Sequence, residues 1–270
     1  MPATQSQQLV DAFLNAIEQS GNAAVLVSAI RQHPRKFAVT QPDGMDIIVW
    51  VYAWTLTFGG RPNLPHEYRI QMTTVRSPLA INPVGPTVLI GYEPNMKMFA
   101  GFDLMRHRQF TTGSPSVQID LRVVRKALQD GLAFDRKGNN EIAVGIRPDQ
   151  FMAYVLNAEA LHRHGRHVAT FGLLAKASAL EEIGAQELDL LPTARQRVVQ
   201  TVRRLSRLAS FRLQVLHAYD NRCAVTRAQL RLGACRRTSR RFFRESGTIL
   251  QKLRINDLRS IRRKCWSPKI

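Results

Sequence analysis

Cysteine is scarce in this chain: Cys223, Cys235 and Cys265 are the full set, odd in number and widely spaced. That excludes a disulfide framework and a paired Cys-x-x-Cys zinc site, and it fits a reducing, cytoplasmic setting. Long apolar runs are missing as well. The longest, Ile47–Phe58, is about a dozen residues against the roughly 20 that a spanning helix needs, so no membrane partner is expected. The opening residues, MPATQSQQLVDAF, lack a basic stretch followed by an apolar one, and no secretory signal is expected from them. Gly59-Gly60-Arg61 has no Lys-Ser/Thr after it, which removes a nucleotide-cradling loop. Acid is also in short supply. The chain carries 39 Lys+Arg against 20 Asp+Glu, a net charge of +19, so a polyanion is the natural partner.

The charge is unevenly placed. Residues 231–270 hold ten Arg and three Lys against Glu245 and Asp257, a net +11, which leaves +8 for the rest of the chain. From Leu190 to His217 there are six arginines and no acid. Val198, Val202, Leu205, Ala209 and Leu216 recur there at spacings of three, four and seven, which predicts a long helix with one apolar stripe and one basic face.

The first 165 residues show no such bias. Leu9, Phe13, Ala16 and Ile17 mark a helix over residues 5–20 that Gly21 stops, and Val25–Ile30 reads as a second short helix. The period then changes. Ile47–Leu56 is β-branched and aromatic, as a central strand would be, and strands are also predicted at 68–73, 88–92, 98–102, 114–119 and 141–146. Asp120 can cap a helix that runs to Gln129 and ends at Gly131, and Pro148 opens another that reaches about His162. The fold class is therefore α+β: a largely antiparallel sheet with flanking helices over residues 1–165, then a linker and basic helix over 166–209.

Beyond the helix, the order Tyr219, Asp220, Asn221, Arg222, Cys223, followed by the short strand Ala224-Val225-Thr226, resembles the opening of the HNH nuclease module at the C-terminus of many bacterial restriction endonucleases. The match covers 210–232. The resemblance implies a ββα-metal fold, double-stranded DNA as partner, Mg²⁺ or a similar divalent cation as cofactor, and hydrolysis of phosphodiester bonds by a His-activated water. Gly59-Gly60-Arg61, Glu67–Gln71 and Phe99–Asp103 look like the recognition domain that accompanies HNH modules in some restriction enzymes. The catalytic residues the family requires lie after Leu232, and there this chain departs from it. No His follows His217, and Arg227 stands where the family has Gly. No catalytic residue and no metal ligand is assigned, and the module is expected to be incomplete and inactive. Residues 233–270 are Arg-rich and aperiodic, and two origins fit them. One is a functional basic tail. The other is a shifted reading frame, since Arg237-Thr238-Ser239 can be encoded so that the frame starting at the third base reads His-Ile.

Three residue groups bear on chemistry. His162, His164 and His167 lack metal-ligand spacing and read as a solvated basic turn. Glu67 and Asp103 have no Glu-x-Lys at the distance a carboxylate-plus-lysine nuclease would need. Arg69 and Gln71, and likewise Ser116 and Gln118, sit on the polar sides of predicted strands, and Arg and Gln read guanine and adenine edges bidentately. The expected DNA contacts are Arg69 and Gln71 from the strands and Arg203, Arg204, Arg207 and Arg212 from the helix. A non-catalytic DNA- or RNA-binding protein is the alternative, and the oligomeric state stays open, a homodimer included.

Overall fold

Leu9, Val10, Phe13, Ala16 and Ile17 recur at helical spacing and form the buried face of α1 (Ser6–Gln19), and Gly21 ends it at φ +83°. The structure is a computed structural model that describes residues 6–220 apart from Thr112 and Ser114, together with Arg222. Of Leu213 and Leu216 only the backbone is described. The chain divides into two units, and the one described below is Met1–Asn221.

Ten strands follow in chain order, interrupted by helices: β1 (Ala23–Leu26), β2 (Arg35–Thr40), β3 (Asp46–Thr55), β4 (Thr57–Phe58), β5 (Glu67–Gln71), β6 (Thr87–Glu93), β7 (Met98–Phe102), α2 (Leu104–His107), β8 (Ser116–Asp120), α3 (Leu121–Asp130), β9 (Leu132–Arg136) and β10 (Ile142–Ile146). Then come α4 (Phe151–Gly165), α5 (Val168–Ser178), α6 (Ala185–Asp189) and α7 (Thr193–Ala218). Seven strands make one sheet in the order β1-β2-β3-β6-β7-β10-β9. Every pairing in it is antiparallel except β3 with β6. A parallel pair needs a long crossover. Here the crossover carries β4 and β5, which β8 joins to make a second sheet of three strands, β4-β5-β8.

Alternation along the central strands divides the interior into two layers. Val49, Val51, Val88, Ile90, Phe99, Val144 and Ile146 face the helices, where Phe13, Phe99 and Phe151 pack with ring centroids 5.1–5.4 Å apart. Tyr52, Leu89, Ala100, Phe102 and Ala143 face the other way, toward Ile70, Val117, Ile119 and the α3 residues Val124 and Ala127. Two glycines set how closely the layers approach. A Cβ on Gly91 would lie 2.7 Å from Leu56 and 2.8 Å from Ile70, so its absence lets the small sheet rest on the large one. A Cβ on Gly101 would lie 2.2 Å from the Tyr154 ring on the helix side.

The expected helix over Val25–Ile30 is corrected: Ala23–Leu26 is the edge strand β1, paired antiparallel with β2. Its partner offers a complete backbone ladder, which four residues gain at once, whereas a helix that short leaves most of its hydrogen bonds unmade. The cap expectations hold. Asp120 accepts from the Arg122 backbone N–H at 2.8 Å, and Gly131 closes α3 at φ +84°. The apolar core continues past residue 165, since Leu173, Leu174, Ala177, Val198, Val199 and Val202 of α5 and α7 belong to the helix-side cluster. Among the described residues no helix is long and apolar enough to cross a membrane.

Candidate nucleic-acid interface

The three-stranded sheet is where the polar strand residues of the sequence meet. Ile70, Val117 and Ile119 are buried between the two sheets, so their alternates point outward. Register sets Arg69 opposite Gln118, Gln71 opposite Ser116 and Glu67 opposite Asp120, with Thr57 on the other flank of Arg69. Arg69, Gln71, Ser116 and Gln118 therefore form two adjacent cross-strand pairs on one face. Gln71 is exposed and the other three are half-buried. Cross-strand neighbours lie about 5 Å apart, close enough for neighbouring side chains to address neighbouring base edges.

A cleft opens at each end of this face. The first, of about 440 Å³, is lined by His66, Glu67, Asp120, Arg122, Asp135 and Lys137 among others. The Arg122 guanidinium donates to both Asp120 oxygens and holds that carboxyl below its usual range. The Asp120 backbone N–H donates to Asp135 Oδ2 at 3.2 Å. Burial raises the Asp135 carboxyl and lowers the Lys137 amine. Of the two carboxylates that stand out in the sequence, Glu67 lines this cleft beside Arg61 (3.2 Å), while Asp103 caps α2 by accepting from the Arg106 N–H at 3.2 Å. Two further carboxylates, Asp120 and Asp135, and Lys137 share the cleft with Glu67, and Asp135 with Lys137 makes an Asp-x-Lys pair that a search for Glu-x-Lys passes over. Among the described residues no three His, Cys, Asp or Glu side chains stand close enough together to hold a metal ion.

The second cleft, of about 480 Å³, lies where β2 begins and β3 ends, and includes Arg31, His33, Arg35, Trp54, Thr57 and Gln71. His33 stacks on Trp54 with centroids 4.5 Å apart and planes 11° from parallel, and the Tyr52 ring lies parallel beside the pair, its centroid 6.3 Å from His33 and 6.5 Å from Trp54. Trp54 Nε1 donates to the Thr73 carbonyl at 3.3 Å, which fixes the indole plane. Arg35 is buried and donates to the Ile30 and Ala53 carbonyls, and burial lowers its pKa. Burial, with the Arg35 charge beside it, lowers His33 to about 4, so the ring is neutral. Sequence reasoning missed this cleft. The available signal was Tyr52 and Trp54 two apart on one strand, with Arg31, His33 and Arg35 just upstream.

The basic helix is present but stands elsewhere. On α7, Val198, Val199 and Val202 are buried in the helix-side core and Ala209 is buried further along the helix, while Arg204 and Arg207 are exposed and Arg203 is half-buried. Arg212 donates to the Gln19 carbonyl at 2.8 Å, satisfying an orphan acceptor at the end of α1. Because α7 and the small sheet belong to different cores, the large sheet separates them. Arg69 and Gln71 thus face one side of the molecule and Arg203, Arg204 and Arg207 the other.

The histidine-rich turn is corrected in one member. His162 is buried, with its Nδ1–H donating to the Ile142 carbonyl at 3.1 Å and its Nε2 accepting from the Tyr154 hydroxyl at 2.8 Å. A carbonyl can only accept, so the tautomer follows. Burial holds this imidazole to about 4, neutral and structural. His167 remains near the surface and contacts Arg195 at 3.2 Å. Cys223, Arg227 and the rest of the HNH-like stretch after Arg222 lie outside the described residues, as does the Arg-rich tail.

Comparison with curated proteins and with solved structures found no match to this chain. Residues 47–155, which carry the whole three-stranded sheet and its Arg69, Gln71, Ser116 and Gln118 but not α7, match the family model described as methylase-associated X1.

Proposed function

We propose that this chain is a DNA-binding component of a restriction–modification system, acting beside a DNA methylase, and that the outer face of β5 and β8 reads the duplex. The observation that carries the reading is the register that sets Arg69 beside Gln118 and Gln71 beside Ser116 on an accessible sheet face, inside the segment that matches the methylase-associated family. A two-stranded β-ribbon fits the major groove, and Arg and Gln suit guanine and adenine edges there. The resemblance of residues 210–232 to an HNH opening points to the same setting. With no His after His217, the chain as written has no base of the HNH kind, so it binds DNA without cutting it by that mechanism.

A second surface is favoured by a separate observation: among the described residues none of Arg203, Arg204 and Arg207 forms an ion pair. Those side chains can hold phosphates without reading sequence. The test is selection of a preferred duplex from a random pool, followed by binding with structured RNA as competitor and by incubation with Mg²⁺ or Mn²⁺. The reading expects enrichment of a defined duplex site, weak competition by RNA, and intact DNA. Absence of any enriched site contradicts sequence reading, and cleavage abolished by a chelator contradicts the non-cutting assignment.

A further inference from the structure

The cleft at the junction of β2 and β3 combines features that the flat sheet face lacks. Its aromatic wall is rigid before any ligand arrives, since Trp54 is held by the bond from Nε1 to Thr73 and by the stack on His33. Its volume, about 480 Å³, falls in the range of roughly 300–1,000 Å³ typical of small-molecule sites. Its polar groups can meet the edge of a heterocycle: the Gln71 amide and the Thr57 hydroxyl, with Arg31 exposed nearby for a phosphate. His33 Nδ1, shielded from solvent, has no hydrogen-bond partner in the protein, and such orphans in a folded protein call for an explanation. Gln71 belongs both to this cleft and to the outward sheet face. A duplex lying on that face has its nearest nucleotide at the mouth of the cleft. The cleft at the other end is lined by Glu67, Asp120 and Asp135, carboxylates that disfavour an incoming phosphate.

We propose that the Trp54 cleft receives a single nucleotide swung out of the bound duplex, its base stacking on the Trp54 and His33 layer and its edge meeting Gln71. The proposal rests on the reading of the small sheet as a DNA-contacting face. Stacking on an aromatic plane accepts any base, while the polar groups at the edge give preference among them. Extraction costs least where the nucleotide is already unpaired.

That dependence supplies the experiment. With the full chain, fluorescence anisotropy compares a fully paired duplex that contains the selected site with the same duplex carrying one mispair beside that site. The wild-type protein is expected to bind the mispaired duplex about tenfold more tightly, because unpairing has been met in advance. Trp54→Ala, and Trp54→Leu, which keeps bulk over His33 and guards against a folding defect, are expected to bring the two affinities together while both duplexes still bind. Arg69→Ala is expected to lower both affinities and leave their ratio unchanged. Equal wild-type affinities, or a preference that survives Trp54→Leu, overturn the cleft proposal and leave the sheet reading standing. Failure to bind either duplex overturns both. A third arm titrates dAMP and dCMP alone. If these quench wild-type tryptophan fluorescence, do not do so in Trp54→Leu, and no mispair preference exists, the cleft serves a free nucleotide and extraction from the duplex is wrong.

Discussion

The three-stranded sheet and α7 both offer cations to a nucleic acid, but they offer them in different company. On the sheet, Arg69 stands among Gln71, Gln118 and Ser116, with Glu67 and Asp120 as the next pair on the same face. On the 26-residue α7 the arginines recur without a single acid. Nearby carboxylates weaken indiscriminate attraction to phosphate, whereas amides that both donate and accept can tell one base edge from another. An acid-free helix does the opposite: it attracts any polyanion and discriminates little. The two surfaces therefore suit different tasks, and with the large sheet between them the proposed reading has a straight duplex engage one at a time.

The largest expected effect of breaking this comparison is on the sheet. The double variant Arg69→Ala/Gln118→Ala removes base-edge hydrogen bonding of a kind worth about 1–3 kcal/mol per residue. It should lower affinity for the selected site on the order of 100-fold while leaving affinity for unrelated duplexes nearly unchanged, as read by competitive anisotropy. Next come the two glycines that set the layers. Gly101→Ala and Gly91→Ala both overpack the interior, and each should cost about 1–3 kcal/mol in denaturant unfolding. Only Gly91→Ala, whose new Cβ meets Leu56 and Ile70 beneath the small sheet, should also weaken site-specific binding in the folded fraction. Equal binding losses in the two variants would mean that the small sheet is not the interface.

Acid sharpens the comparison from another side. His33 beside the cleft and His162 in the helix layer are each lowered to about 4, against about 6.5 unfolded. Both are neutral in the folded protein, so the unfolded chain takes up protons first. The stability is complete above about pH 6.5 and falls as pH drops toward 4. The loss from His162 should be on the order of 2–3 kcal/mol. His162→Gln should flatten that limb of the stability–pH curve without altering DNA binding at pH 7.5. A limb unchanged in this variant would show that His162 is not the group being protonated.

Much of this organisation was legible in the residues. The alternation of Tyr68-Arg69-Ile70-Gln71 and of Ser116-Val117-Gln118-Ile119 identifies two strands with one polar side each. Asp120 and Gly131 bracket α3 because a cap and a left-handed stop are local matters. What failed was what depends on partners distant in sequence. Val25 and Val27 are exposed on an edge, and nothing local distinguishes β1 from a short helix. β2 and β9 went unrecognised because Arg35, Lys36, Asp135 and Arg136 blunt their apolar pattern. His162 reads as solvated among Arg163, His164 and Arg166, yet helical geometry turns it inward while its neighbours turn out. That α7 and the small sheet occupy opposite faces follows from the parallel pairing of β3 with β6, which no local pattern announces.

The central claim, that the small sheet and not α7 sets sequence preference, is tested most directly by the salt dependence of binding to a selected and to a scrambled duplex. Wild type, Arg69→Ala/Gln118→Ala and Arg203→Ala/Arg204→Ala/Arg207→Ala would be compared over the same salt series. The expected result is that the sheet variant loses the preference between duplexes and changes slope by no more than about one unit, the share of Arg69 itself. The α7 variant is expected to keep the preference, bind both duplexes more weakly, and flatten the slope by about one unit for each phosphate it no longer neutralises. An α7 variant that loses the preference while the sheet variant retains it would contradict the account.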